Sequence, residues 1–541
     1  MQGSLQKRCP MRREWTMENK LTAMENHLLR RANVSDFIKR SAQIYPHDVI
    51  LVDANREVDF AELNVMVNRA SNALLKAGIK RGDRVSVISH SCIDFIVLWY
   101  GVMKIGGVIN PINVALKGDE IEYIVNHAEP TILVVEDALT PNVDAVREKL
   151  KSVKQFYFFN LTETKTGKGW KDIKELIHED VGTDEPFVEA GDYDPATLIY
   201  TSGTESRPKG VLGSHIGLHF STMHAISDLD IGKNNTLLLV APLYHIAGLL
   251  LCTASIYIGA KIVVDTFPDP TNIMGFTKNQ KVTIWTFPPA LLALMPHIPG
   301  FSKDDIQTVT KIIAFGASLP KPTAEVWKGI LPLVTMFNYY GQTESGPLGT
   351  LSSGDDIIAH PGSIGKPHRL VEIKIFNDED KPVPTGEVGE IVIRGPSVMI
   401  GYLKDEEKTA QAFRNGWLHT ADLARIDEDG FFHFVDRKKD IIVTGSENVS
   451  SLEIEQFLLS HPKVADAAVI GVSDPRWGEA VTAVIVPKPN ETINEEEIIT
   501  YSKGKIAGFK VPKKVFITDA LPRSTTGKVL KTILREKFSA Q

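Results

Sequence analysis

Residues 196–210 read ATLIYTSGTESRPKG. The first five are apolar or β-branched and read as a buried strand. Thr201, Ser202 and Thr204 then surround Gly203, Lys209 closes the segment, and a helix-like stretch follows. Small residues let backbone N–H groups approach an anion, hydroxyls add donors, and lysine adds charge. The loop therefore reads as a phosphate cradle. It is not the GxxxxGKS/T loop. Pro208 stands where glycine is required, and Gly210 stands where the metal-binding hydroxyl belongs. The other Gly-Lys pair, Gly527-Lys528, is followed by Val529 and lacks the leading glycine. Both departures argue against a Walker-type nucleotidase.

Outward from this loop, strand-like runs recur at RVSVIS (84–89), TILVVE (131–136), LLLVA (237–241), KIVVD (261–265), VTIWT (282–286) and KIIAF (311–315). Helix-like stretches separate most of them, and Leu63, Val67, Ala70 and Leu74 share one helical face. This alternation predicts an α/β fold with mostly parallel sheets in layers. After residue 360 the pattern changes. VEIKIF (371–376), EIVIRG (390–395) and FFHFVD (431–436) alternate or pair between turns, as a small antiparallel β unit does. A mixed α+β stretch follows, with strands AAVIGV (467–472) and AVTAVIVP (480–487) and a helix near 495–507. The expected division is a loose extension over 1–30, a large domain over 31–435, a hinge at 436–440 (DRKKD) and a small mobile α+β C-terminal domain over 441–541.

Composition bounds the function. A chain of 541 residues holds three to four folding units at ~150 residues each. Hydrophobic residues at 43% and charged residues at 23% exclude disorder, collagen and coiled coil. A net charge of −7 does not suit a general nucleic-acid binder. Cys9, Cys92 and Cys252 are too scattered for a disulfide framework or a zinc motif, so a reducing compartment, the cytoplasm, is expected. The first twenty residues lack the apolar core of a secretory signal, and Glu14 and Glu18 do not suit a mitochondrial presequence. Thr236 to Ala260 carries no charged side chain. Pro242, Gly248 and Gly259 split it, so it reads as a buried strand, a turn and a buried helix rather than a membrane span.

Three further segments carry chemistry. NYYGQTESG (338–346) offers tyrosine faces to a base, and the Glu344 carboxylate can hold Mg²⁺ against phosphates. In GWLHTADLARIDEDGFFHFVDRKKD (416–440), Asp422 and Arg437 can bracket a ribose. In LPRSTTGKVLK (521–531), a lysine on a small polar loop can reach into a cleft. These segments, in this order, resemble the adenylate-forming superfamily of acyl-CoA synthetases, firefly luciferases and nonribosomal peptide adenylation domains. GSENVSSLEIE (445–455), DPRWGE (474–479) and GFKVPKKVFI (508–517) are similar to the acyl-CoA synthetase branch. Within it the chain looks most like a fatty-acyl-CoA synthetase.

The resemblance implies a two-step reaction with ATP, Mg²⁺ and coenzyme A. A carboxylate attacks the α-phosphorus of ATP, giving acyl-adenylate and pyrophosphate; the CoA thiol then displaces AMP. It implies that Thr201, Ser202, Gly203, Thr204 and Lys209 hold the phosphates. Tyr340, Gly341 and Gln342 border adenine, opposite Gly316, Ala317 and Ser318. Thr343 contacts phosphate, and Glu344 with Thr204 holds the metal. Asp422 and Arg437 hold the ribose, Lys528 is the adenylation lysine, and His245 lies beside the acyl carboxylate. The C-terminal domain rotates about Lys439, exchanging Lys528 for the loop of Gly445, Ser446 and Glu447, which lines the pantetheine tunnel.

Three positions depart from the family pattern. Glu205-Ser206 replaces Thr-Gly in the phosphate loop, and the carboxylate is expected to point outward. Ala421 replaces the glycine before the ribose aspartate, a small steric change. Ser446 replaces the second glycine of the thioester loop and is strained if its φ is positive. The expected acid is a medium- to long-chain fatty acid, with an aryl acid of the benzoate or cinnamate type as runner-up. A carrier-protein thiol as acceptor, a luciferase-like oxygenase and a silent acyl or nucleotide binder are the rival readings. The sequence leaves room for a homodimer and for a peripheral membrane contact.

Overall fold

Among the described residues of the computed structural model (22–178, 180–201, 207–445, 447–523 and 529–538), three sheets carry the fold. The first has eight strands. Arg84–Ile88 pairs in parallel with Val108–Ile112 on one side and Ile132–Glu136 on the other. The crossover helix Ile93–Lys104 is buried on every face, so its sequence is apolar without amphipathic period. Pro195–Thr201 joins Val108–Ile112 in parallel and then pairs antiparallel with Lys209–Ser214, Thr201 opposite Lys209. The phosphate-loop segment therefore connects two strands of a hairpin. The helix His215–Asp228 begins only after the second of them.

The second sheet has fourteen strands. Its parallel run is Thr335–Tyr340, Lys311–Phe315, Ile284–Phe287, Thr236–Leu239, Lys261–Val264 and Val49–Val52. The antiparallel strands expected as a separate unit continue the same ladder. Thr350–Ser353 and Ser363–Pro367 bridge from Thr335–Tyr340 to Phe432–Arg437, Trp417–Ile426, Gly389–Arg394 and Glu372–Phe376. The largest core lies between the first two sheets. It takes the buried face of Phe60–Lys76, including Leu63, Val67, Ala70 and Leu74, together with the apolar helix Ile246–Ile258.

The charge-free stretch folds as its punctuation predicts. Thr236–Leu239 is a buried strand, and Ile246–Ile258 is a helix closed by Gly259 at φ +81°. No helix among the described residues is long and apolar enough to cross a membrane. Cys92 and Cys252 are free and buried, while Cys9 lies outside the described residues. At the N-terminus, residues 23–30 form a helix rather than loose chain, because Thr22 and Glu25 make a reciprocal cap.

The third sheet has five strands and is built on the hairpin Val464–Asp474 and Gly478–Pro487. The helix expected over 495–507 ends at Ser502, where Gly504 turns the chain at φ +76°. The expected hinge segment DRKKD makes contacts of its own. Asp436 is buried, and its Oδ2 accepts from Ser451 N–H at 2.7 Å, Ser451 O–H at 2.6 Å and Leu452 N–H at 3.2 Å. It thereby caps the helix Ser451–Leu459 of the C-terminal unit. Arg535 pairs with Asp440 at 2.8 Å on the other side of Lys439.

Candidate active site

The strands end together at one edge, where a nucleotide site of an α/β protein is expected. Thr201 closes one strand and Lys209 opens its partner. Glu344 sits opposite, on the short turn Thr343–Ser345. Its Oε1 accepts from Tyr402 O–H at 3.2 Å and Thr201 O–H at 3.5 Å, and Lys209 lies close enough to favour the charged form. Burial nevertheless pushes the Glu344 carboxyl above its ordinary value. The Lys209 ammonium stands 5.1 Å from the Tyr402 ring centre. Tyr402 was invisible to sequence reasoning. It reaches the site only because Gly401–Tyr402 pairs with Lys209–Ser214.

Thr335–Tyr340 and Lys311–Phe315 are adjacent parallel strands, so the segments after them face each other. Gly316 turns at φ +85°, leading into the exposed Ala317 and Ser318. Asn338 fixes this turn: its amide donates to the Ala317 carbonyl at 3.0 Å, and its Oδ1 accepts from Leu319 N–H at 2.9 Å. Gly341 is required by packing, since a Cβ there would fall 1.6 Å from the Pro347 carbonyl oxygen. The segments after the two strands thus face each other, tied by Asn338, a residue outside the expected set.

Asp422 is aimed by a bulge. Val392 pairs with His419 and Glu390 with Leu423, so the single residue Ile391 on one strand opposes three, Thr420 to Asp422, on the other. Ala421 turns the bulge at φ +59°, a left-handed conformation. Glu390 Oε1 accepts its N–H at 2.9 Å, and its carbonyl accepts from Lys438 N–H at 2.8 Å. The substitution expected to be a small steric change is instead a point of backbone strain, because alanine pays a Cβ clash that glycine would not. The result is a buried carboxylate whose Oδ2 accepts from Gln342 at 2.7 Å and Tyr340 O–H at 2.8 Å. Its Oδ1 faces Arg437 Nε at 3.7 Å.

His245 caps the helix Ile246–Ile258, its Nδ1 accepting from Ala247 N–H at 3.2 Å. That contact places the ring proton on Nε2. Burial lowers its pKa, so the ring is neutral. The next residue, Ile246, lines a cleft with Ile199, Val211, Leu218, Ser221 and Thr343. The cleft is narrow, about 10 Å³, room for about one water. Ser221 O–H closes it by donating to the Gly346 carbonyl.

Gly445, Glu447 and Lys439 stand in the C-terminal unit or its connection. Gly445 turns at φ +58° with its N–H on the Trp477 carbonyl at 2.8 Å, and Glu447 is exposed on the facing strand. Exposed Trp477 has Arg476 stacked 4.7 Å from its ring centre and Lys513 at 5.8 Å. Lys439 is exposed, with Arg437, Lys531 and Arg535 close by, and its ammonium pKa is lowered by desolvation and by these neighbouring cations. Ser202, Gly203, Thr204, Glu205, Ser206, Ser446 and Lys528 lie outside the described residues.

The model of the AMP-binding enzyme family matches residues 38–403, and that of the AMP-binding enzyme C-terminal domain matches residues 453–528. The chain belongs to this family. It is an acid–CoA ligase, an ATP-dependent acid–thiol ligase of the adenylate-forming type, and uses ATP, Mg²⁺ and coenzyme A. The long-chain-fatty-acid–CoA ligase FadD13 of Mycobacterium tuberculosis is 31% identical over 94% of this chain and 99% of its own. A feruloyl-CoA synthase of Amycolatopsis is 31% identical over 94% of this chain and all of its own. The ATP-bound structure of MatB from Rhodopseudomonas palustris superposes with a TM-score of 0.84 at 29% identity, over 94% of this chain and 99% of that one.

Proposed function

We propose that the protein activates a medium- to long-chain fatty acid as its adenylate and passes the acyl group to CoA. The observation that carries this reading is the helix that His245 caps, Ile246–Ile258, which has no charged residue; its first residue, Ile246, lines a cleft with Ile199, Val211, Leu218 and Met399 among serines, threonines and glycines. Each CH₂ buried against such a wall contributes ~0.8 kcal/mol. An aryl acid is the second reading. It is favoured by the narrowness of the cleft, and the feruloyl-CoA synthase relative is as similar as the fatty-acid one.

The residues suit the chemistry assigned to them. Asp422 keeps Oδ1 for ribose hydroxyls while Tyr340 and Gln342 occupy Oδ2. Lys209 and Thr201 flank the phosphate-loop segment from both sides. The Glu344 carboxylate fits Mg²⁺, since it is half-buried beside the hydroxyls of Tyr402 and Thr201 and a bound cation would favour its charged form, as Lys209 does. Bound there, with Thr204 as the second holder, Mg²⁺ would neutralise phosphate charge. Neutral His245 offers its Nε2–H to one carboxylate oxygen, which orients the other for in-line attack on the α-phosphorus. Lys528 bridges the attacking and phosphate oxygens. Pyrophosphate leaves, and the acyl–phosphate anhydride now has a leaving group that a thiolate displaces. Trp477, Arg476 and Lys513 beside Gly445 form an aromatic and cationic surface suited to a nucleotide thiol, which supports CoA as acceptor.

The test is pyrophosphate release from ATP and Mg²⁺ across straight-chain acids of four to sixteen carbons and a set of aryl acids, with and without CoA. A steep rise with chain length and multiplication by CoA is expected. A flat response among straight chains, with one aryl acid far above them, would overturn the fatty-acid reading in favour of the second.

A further inference from the structure

Two histidines and an aspartate meet outside the machinery described above. His224 and Asp228 lie one turn apart on His215–Asp228 and so share a helix face. His368 follows the strand Ser363–Pro367. Asp228 Oδ2 is 3.0 Å from His368 Nδ1 and 3.3 Å from His224 Nδ1. The two imidazoles cross at 90° with centroids 4.0 Å apart. One ligand atom from each of the three lies within 4.8 Å of the others, and no second such group of His, Cys, Asp and Glu occurs among the described residues.

Hydrogen bonding leaves this group incomplete. Asp228 serves the Nδ1 of His368. His224 is 1% exposed, yet neither of its nitrogens has a hydrogen-bond partner, and His368 Nε2 has none either. Buried polar groups without partners are rare and costly. A tetrahedral ion with bonds of ~2.0–2.1 Å has ligand–ligand edges of ~3.3–3.4 Å, close to both measured spacings. Two imidazole nitrogens and one carboxylate oxygen suit Zn²⁺. Mg²⁺ and Ca²⁺ take oxygen sets instead. The Asp228 side chain is 12% exposed, which gives an ion a way in. His368 lies far along the chain from the helix, so motif spacing did not reveal the set.

We propose that His224, Asp228 and His368 form a transition-metal site, best matched to Zn²⁺. The ion would clamp the helix that carries Ser221, the residue closing the acyl cleft, to the segment after Ser363–Pro367. The site does not depend on which acid the enzyme takes.

The test uses the tag-free full chain, stripped with a chelator and free of ATP and Mg²⁺. Zn²⁺ is titrated by calorimetry, and metal content is measured after gel filtration. The wild type is expected to retain about one equivalent of Zn²⁺ at this site. His224→Gln and His368→Gln, close in shape to histidine, are each expected to lose it, with affinity falling at least ~100-fold. Co²⁺ should give a tetrahedral visible spectrum in the wild type alone. A wild type that takes up no Zn²⁺ overturns the site whatever the variants do. So does Zn²⁺ retained equally by wild type and both variants, with circular dichroism showing all three folded.

Discussion

Ala421→Gly tests the reasoning about the ribose aspartate most directly. Ala421 holds φ +59° in the bulge and its side chain is exposed, so its methyl group makes no packing that glycine would lose. A left-handed backbone costs an L-residue ~1–2 kcal/mol. Glycine relieves this but loses ~0.5–1 kcal/mol through its greater freedom in the unfolded chain. The net expectation is a stabilisation of about 0.5–1 kcal/mol, which raises the melting temperature by about 1–4 °C. The hydrogen bonds that fix the bulge are from backbone groups, Ala421 N–H to Glu390 and Lys438 N–H to the Ala421 carbonyl, so they survive the change. Asp422 should therefore stay in place, with the KM for ATP unchanged within about twofold. Ala421→Val should lower stability by more than ~1 kcal/mol, since a β-branched residue tolerates this region least. Calorimetric melting of the three proteins decides the matter. A glycine variant that melts below wild type, or a valine variant equal to it, would refute the claim of strain.

Three other perturbations have defined outcomes. Lys528→Ala should reduce acid-dependent pyrophosphate release ~100- to 1,000-fold, the loss expected for one transition-state cation. Thioester formation from supplied acyl-adenylate should change little, and equal loss in both half-reactions would count against the assignment. Asp422→Ala should weaken ATP binding at least ~10-fold, because charge-assisted hydrogen bonds contribute ~1.5–3 kcal/mol; calorimetry with ATP in the absence of acid reads this, and unaltered affinity would remove Asp422 from the ribose site. Burial, with Asp269 nearby, raises the Asp265 carboxyl to about 6. The folded chain then binds more protons than the unfolded chain between pH ~4 and ~6, so this group lowers stability as pH rises through that window. Asp265→Asn should melt higher than wild type at pH 8, by about 1 kcal/mol after screening, and nearly equal to it at pH 4; a difference independent of pH would show that the carboxyl is not shifted.

What the sequence made legible was whatever is contiguous in the chain. The NYYGQTESG turn and the split of the charge-free stretch by Pro242 and Gly259 each depend on neighbours, and each stands where the pattern predicts. The strands past residue 360 were legible as strands but not as part of the central sheet, because only the pairing of Thr350–Ser353 with Ser363–Pro367 joins them to it. What escaped is set by register and by distant pairs. Tyr402 reaches Glu344 through one short strand pair, Asn338 holds the turn after Gly316, and Asp436 caps a helix beyond the expected hinge.

Asp436 has a consequence for the hinge itself. Rotation about Lys439 would carry residues 450–452 away from Asp436 and expose four broken hydrogen bonds of a buried carboxylate. Hydrogen bonds to a charged group contribute ~1.5–3 kcal/mol each in the capped state. Either Asp436 and Arg437 leave their pairing with Leu423 and Asp422 and travel with the C-terminal unit, so that the pivot lies before Lys439, or the cap is a latch that must open between the two half-reactions. Asp436→Asn separates these. It weakens the cap while keeping its shape, so a latch predicts faster exchange between half-reactions and an earlier pivot predicts only a less stable lid. Pre-steady-state rates of adenylation and thioester formation, measured beside the melting of the C-terminal unit, distinguish the two. A variant unchanged in both would show that the cap carries neither role.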